Sequence, residues 1–179
     1  MLLRTILVFL MVPLAALASA SQAAAVSELL GQPVTGLRGQ NIGPVEELIV
    51  DVSEGRVLYI IVRGAQQYYT VPVRALHRLP GNGGLRLDMA LEGDAARIAP
   101  DADPRFRRAG RLLGQPIQQP GDGAIGSVQD ILFEPGSGRI GAVRVQTPQG
   151  PRDLPAGVLA RGHFPPITLW PEERAGAGR

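Results

Sequence analysis

Leu29 to Val34 reads LLGQPV, and Leu112 to Ile117 reads LLGQPI. The offset of 83 residues between them then holds without a gap through Ile42-Gly43 and Ile125-Gly126, Val45 and Val128, Gly55-Arg56 and Gly138-Arg139, Val62 and Val145, Pro72 and Pro155, and Leu76 and Leu159. Between Leu29 and Arg78 there are 15 identities in 50 aligned positions, and mismatches such as Val57 with Ile140 or Ile60 with Val143 keep apolar facing apolar. What recurs is core and turn residues, so the repeat encodes a fold rather than a reaction.

Working outward, Val45 to Asp51 and Arg56 to Arg63 are rich in Val, Ile, Leu and Tyr and are joined by Val52-Ser53-Glu54-Gly55, a hairpin signal. Gly55 and its counterpart Gly138 close these turns, where a positive φ costs glycine nothing. Gln67 to Val73 alternates, with Tyr69, Val71 and Val73 on one face and Tyr68 and Thr70 on the other, so a third strand follows. Pro72 and Pro155 belong at strand ends or edges because they donate no ladder hydrogen bond. Arg74 to His77 is expected to form a turn of helix, and Leu85 to Met89 a closing strand with Pro166 to Trp170 as its positional partner. The second copy reads likewise, with strands at Ser127 to Glu134 and Arg139 to Thr147, and Arg152 to Pro155 ending it.

The expected fold class is all-β, two tandem small β-barrels after a signal peptide. Residues 1–20 carry one Arg, an apolar run from Ile6 to Ala18 and the small-x-small pattern Ala18-Ser19-Ala20, which reads as a secretory signal cut near Ala20 or near Ala25. Export to the periplasm or outside the cell follows; the alternative is an uncleaved inner-membrane anchor, although Pro13 and the Ala/Ser-rich second half are poor for a spanning helix. The barrels are expected at 27–98 and 109–170, with a linker at 99–108 and a disordered tail at 171–179. A short helix is expected near Leu91 to Ile98. Units this small bury only about 60% of their unfolded surface, so the two should pack on each other, with Phe164 and Trp170 at the contact.

Several classes of chemistry are excluded by count. There is no cysteine, hence no disulfide, thiolate metal site, lipid-modified cysteine or thiol catalysis. All 18 basic residues are arginine against 16 acids, a balance that predicts no nucleic-acid partner. His77 and His163 are not equivalent in the repeat, so no metal pair is suggested. Asp51 and Glu134 match in position and are expected to accept hydrogen bonds within their turns. Ser53 and Ser137 have no neighbouring His to activate them. Gly121 to Gly126 looks like a phosphate loop, but strand-like sequence follows it where a helix is required. No catalytic residue, cofactor or metal ligand is expected. Candidate interaction residues are Tyr68 and Tyr69, one of which should be core and the other an anchor, and the arginines Arg105, Arg107, Arg108 and Arg111, suited to anionic lipid or an acidic protein face.

The order LLGQPV, IGPVEELIVDVSEGRVLYIIV and YTVPVRAL over Ser27 to Pro80 resembles the PRC-barrel family, and Gly110 to Arg161 resembles it more weakly. The carrying residues are Leu30-Gly31, Ile42-Gly43, Val45, Leu48, Val50, Asp51, Gly55-Arg56 and Val71-Pro72. The resemblance implies a small β-barrel that docks on other proteins: the family occurs in the H subunit of the photosynthetic reaction centre and in a ribosome-maturation factor. The expected function is therefore an exported, non-enzymatic binding or assembly scaffold for envelope proteins, with peripheral membrane contact allowed. The alternative is a ligand-binding or enzymatic site between the barrels, built from Arg, Asp and Gln side chains.

Overall fold

The computed structural model describes residues 23–79, 84–91, 105–119 and 123–161. The architecture is all-β. A two-residue strand β1 (Ala24–Ala25) runs straight into a one-turn helix α1 (Val26–Leu29). Then come β2 (Pro33–Thr35), β3 (Asn41–Asp51), β4 (Arg56–Arg63), β5 (Tyr68–Pro72), a 3-10 turn (Val73–Ala75), β6 (Leu76–Arg78) and β7 (Leu85–Leu87). The second half runs β8 (Phe106–Arg108), α2 (Ala109–Leu112), β9 (Pro116–Gln119), β10 (Gly123–Phe133), β11 (Ile140–Thr147), β12 (Gly150–Leu154) and α3 (Gly157–Arg161).

Each half is centred on one long bent strand. β3 pairs with β2 through Pro44 and then with β4 from Val45 onward; β10 pairs with β9 and β11 in the same way. Register shifts between Val45 and Glu47 and between Ile49 and Val50 recur between Val128 and Asp130 and between Leu132 and Phe133. Such bulges bend a strand and re-aim the side chains beside them. The repeated Gly43 and Gly126 have a backbone reason: a Cβ there would lie 1.9 Å from the Arg63 carbonyl oxygen and 2.1 Å from that of Gln146.

The halves trade strands. β1, from the start of the first half, pairs with β10 in the second, Ala24 opposite Phe133 and Ala25 opposite Leu132. β8, from the start of the second, pairs with β3 in the first, Arg107 opposite Val50 and Arg108 opposite Ile49. Each of these partners is the other's equivalent at the repeat offset. Arg56 meets Arg139, its own equivalent, in an isolated antiparallel bridge. The bonds beside it are reciprocal: the Val57 amide donates to the Gly138 carbonyl at 2.7 Å, and the Ile140 amide to the Gly55 carbonyl at 2.9 Å. A position that pairs with its own repeat marks a pseudo-twofold axis, the isologous geometry of a symmetric dimer realised within one chain.

The core is correspondingly shared. Val45, Leu48, Val50, Ile60, Val62 and Val71 from the first half join Ile117, Val128, Ile131, Phe133, Val143 and Val145 from the second in one buried cluster. The packing of the halves expected from sequence is thus a fused interior with exchanged strands.

Three expectations are corrected. Phe106–Arg108, placed in a linker, form β8, because β3 offers a free edge at Ile49 to Asp51 that a three-residue strand can fill. Arg74 to His77 is not a helical turn: the 3-10 turn occupies Val73–Ala75, and His77 lies in β6, paired with Arg86. The closing strand exists as Leu85–Leu87, antiparallel to β6 and parallel to β2. The expected signal peptide, the helix expected near Leu91 to Ile98, Phe164, Pro166 to Trp170 and the expected tail fall wholly or almost wholly outside the described residues.

Candidate functional site

Alternation along β3, β4 and β5 gives the first half two faces. The inner one feeds the shared core. The outer one carries buried Ile49 and Ile61 with half-buried Tyr59, Tyr68 and Phe106 packed on them. Sequence left open which tyrosine of the Tyr68-Tyr69 pair is the anchor; Tyr69 packs on the core and Tyr68 on this outer cluster. Phe106 arrives from the second half on β8, opposite Asp51, so the strand exchange adds that ring to the patch.

The arginines separate by register. Arg105 lies over the Phe106 ring, 5.3 Å from its centroid, a cation–π contact that fixes its charge at the patch rim. Arg108 follows on the same face of β8 as Phe106, and its charge and that of exposed Arg111 act on Glu47. Arg107 alternates to the opposite face, at the position that Ala24 holds across the axis, and donates to the Phe106 carbonyl at 2.8 Å. Tyr68, Arg105, Arg108 and Arg111 therefore belong to one side of the molecule, while Tyr69 and Arg107 point away from it.

Glu47 was not singled out by sequence, yet it ties this side together. Its Oε1 accepts the Gly110 amide at 2.8 Å, in the first turn of α2, and the Leu48 amide at 2.9 Å. Across the axis Asp130 does the same, accepting the Ser27 amide in α1 at 3.1 Å and the Ile131 amide at 2.8 Å, and taking the Ser27 hydroxyl as well. The signal was present as a matched acid pair, Glu47 and Asp130, each directly before an apolar triplet. Burial pushes the Glu47 carboxyl above its usual 4.5, opposed by the Gly110 and Leu48 amides and then by the charges of Arg108 and Arg111.

The remaining polar candidates make local contacts. Asp51 accepts the Ser53 and Glu54 amides and the Ser53 hydroxyl, closing its turn as expected; Glu134 accepts the Ser137 hydroxyl at 2.7 Å. Gly123 opens β10, so strand follows the glycine-rich segment. His77 is exposed, 3.7 Å from Asp88. Among the described residues no three metal-ligating side chains converge.

The second half's outer face, in the same geometry, is different in chemistry. The places of Ile49, Ile61, Tyr59, Tyr68 and Phe106 are taken by Leu132, Arg144, Ala142, Pro151 and Ala23. Arg144 is held by Asp153 in a bidentate pair at 2.9 and 3.1 Å. These features define a pseudo-twofold, strand-exchanged all-β protein with one aromatic and one ion-paired outer face. Residues 22–102 match the model of the PRC-barrel domain, so the first half of the chain carries that domain. No curated protein matches the chain.

Proposed function

We propose that this protein is a non-enzymatic binding module of the cell envelope, in which the second half is a further barrel of the PRC type fused to the first. One observation carries the reading: the two outer faces share a backbone and differ in side chains, and only the first presents aromatic anchors rimmed by arginine. Tyr and Arg are the residue types that dominate protein interfaces when they sit together over an apolar floor. The occupant that fits is a protein face or segment carrying acidic residues, because Arg105, Arg108 and Arg111 gather at the rim of the aromatic patch.

Export is part of the proposal, and the fold favours one of the two cut sites. Cleavage after Ala25 would remove β1 and strip Leu132 and Phe133 of their partners. Cleavage after Ala20 leaves β1 whole. N-terminal sequencing of the mature protein should therefore return Ser21, and an intact Met1 would mean an anchor. Among the described residues no helix is long and apolar enough to cross a membrane.

Affinity purification from the envelope fraction tests the binding role. A partner should come with the wild type and with Arg144→Ala, and should be lost with Tyr68→Ser. Recovery of the protein alone under several mild conditions, or equal capture by all three forms, would refute it. Binding to anionic vesicles in place of protein would assign the same face to the membrane surface instead.

A further inference from the structure

Where the halves meet, a cleft of about 250 Å³ opens beside the pseudo-twofold axis. Its floor and walls come from Arg56 to Tyr59 on β4, from Pro72, Val73 and Arg74, and from Gly136-Ser137 across the junction. Two guanidinium groups line it and no carboxylate does. Arg56 is positioned by a hydrogen bond to the Ser137 carbonyl at 2.9 Å. Arg74 is exposed, at the centre of the 3-10 turn, and has no side-chain hydrogen bond or ion pair among the described residues. Leu58, Tyr59 and Pro72 make the remaining wall apolar.

The pseudo-symmetry supplies an internal comparison. Across the axis Arg56 becomes Arg139, Arg74 becomes Gly157, Tyr59 becomes Ala142 and Ser137 becomes Glu54. Arg139 already faces Glu134 at 3.8 Å. One cation and the aromatic wall are thus missing from the equivalent place, and Glu54 stands there where the first cleft has Ser137. A backbone shared by both places does not explain why only one of them gathers two arginines against an apolar wall.

We infer that this junction cleft is a binding site for an oxyanion, a carboxylate or a phosphate, held between Arg56 and Arg74 with its attached group against Leu58, Tyr59 and Pro72. Paired guanidinium donors match the planar, multidentate demand of such groups. The site is separate in its residues from the patch around Tyr68, apart from Tyr59, which borders both. The sequence had suggested Arg, Asp and Gln side chains between the halves; the cleft uses arginine alone of these.

The test is an NMR titration of the full mature chain with benzoate and, separately, with inorganic phosphate, at ionic strength held constant with sodium chloride. Arginine side-chain N–H and Tyr ring signals report the site. Saturable shifts at Arg56, Arg74 and Tyr59 are expected. Arg74→Gln should weaken binding about tenfold, the loss of roughly one charge-assisted hydrogen bond. Arg139→Gln, its control across the axis, should bind as the wild type does. Tighter saturation by benzoate assigns a carboxylate on an apolar body, and tighter saturation by phosphate assigns a phosphate. Shifts that rise linearly with either anion, or that persist unchanged in Arg74→Gln, would overturn the site.

Discussion

The two halves of this protein share the run from β1 to β5 and from β8 to β12, with matching bulges and turn glycines, yet one outer face is aromatic and the other carries the Arg144–Asp153 pair. Shared features all serve the interior or the junction: Val45 and Val128, Val62 and Val145, Gly55 and Gly138. The side chains of the two outer faces are not shared. A duplicated fold thus keeps whatever the common core demands and is free to differ on its surfaces, which is where binding chemistry is placed. The difference between the faces, rather than either face alone, points to one side as the working surface.

The largest effect should come from breaking the shared interior. Ile60 and Val143 are both fully buried in the one cluster, so Ile60→Asp or Val143→Asp should each abolish the whole thermal transition, a loss above about 4 kcal/mol from an unpaired buried charge. Circular dichroism melting checks this; survival of half the signal would mean that the halves fold separately. Next comes the axis, where the two aligned turn glycines are not equally constrained. Gly138 has φ 73° and a Cβ there would sit 2.1 Å from the Val57 carbonyl oxygen, whereas at Gly55, φ 63°, the nearest atom is the Ala156 methyl at 3.0 Å. Gly138→Ala should lower stability by about 3 kcal/mol or more, and Gly55→Ala by about 1 to 2; urea unfolding measures both, and equal losses would contradict the geometry.

A smaller effect separates the two reciprocal carboxylates. Because burial raises the Glu47 pKa in the folded protein, the native state holds its proton to higher pH than the unfolded chain. Stability then falls as pH rises from the unfolded value near 4.5 toward the folded one, and this part of the pH dependence should vanish in Glu47→Gln. Urea midpoints across that range decide it: an unchanged slope in the variant would remove Glu47 as the cause. Replacing either Glu47 or Asp130 by Ala should cost about 1 to 3 kcal/mol, since each leaves amides of a helix turn and of its own strand unpaired.

Much of this was legible in the sequence. Enrichment in Val, Ile, Leu and Tyr beside a turn located β4 at Arg56–Arg63, alternation placed β5 within a residue at either end, and the repeat carried the same reading to β11. The turn roles of Asp51 and Gly55 were readable from local chemistry. The exchange of β1 and β8 was not, since Ala24–Ala25 and Phe106–Arg108 are too short to show periodicity and their partners lie in the other half. Glu47 escaped notice for a related reason: its partner, the Gly110 amide, is 63 residues away and has no side-chain signature. Of the candidate contacts, Tyr68 was separable from Tyr69 only once the register fixed which face was core, and Arg107 was grouped with Arg105 and Arg108 because spacing alone does not show a β-strand there.

The most direct test of a shared core with exchanged strands is native-state hydrogen exchange on the whole chain, comparing the wild type with Val143→Ala. The substitution lies in β11 of the second half, so its destabilisation should appear undiminished in the slowest amides of β3 and β4 in the first. Faster exchange confined to β10, β11 and β12, with β3 and β4 as protected as before, would show two independent barrels.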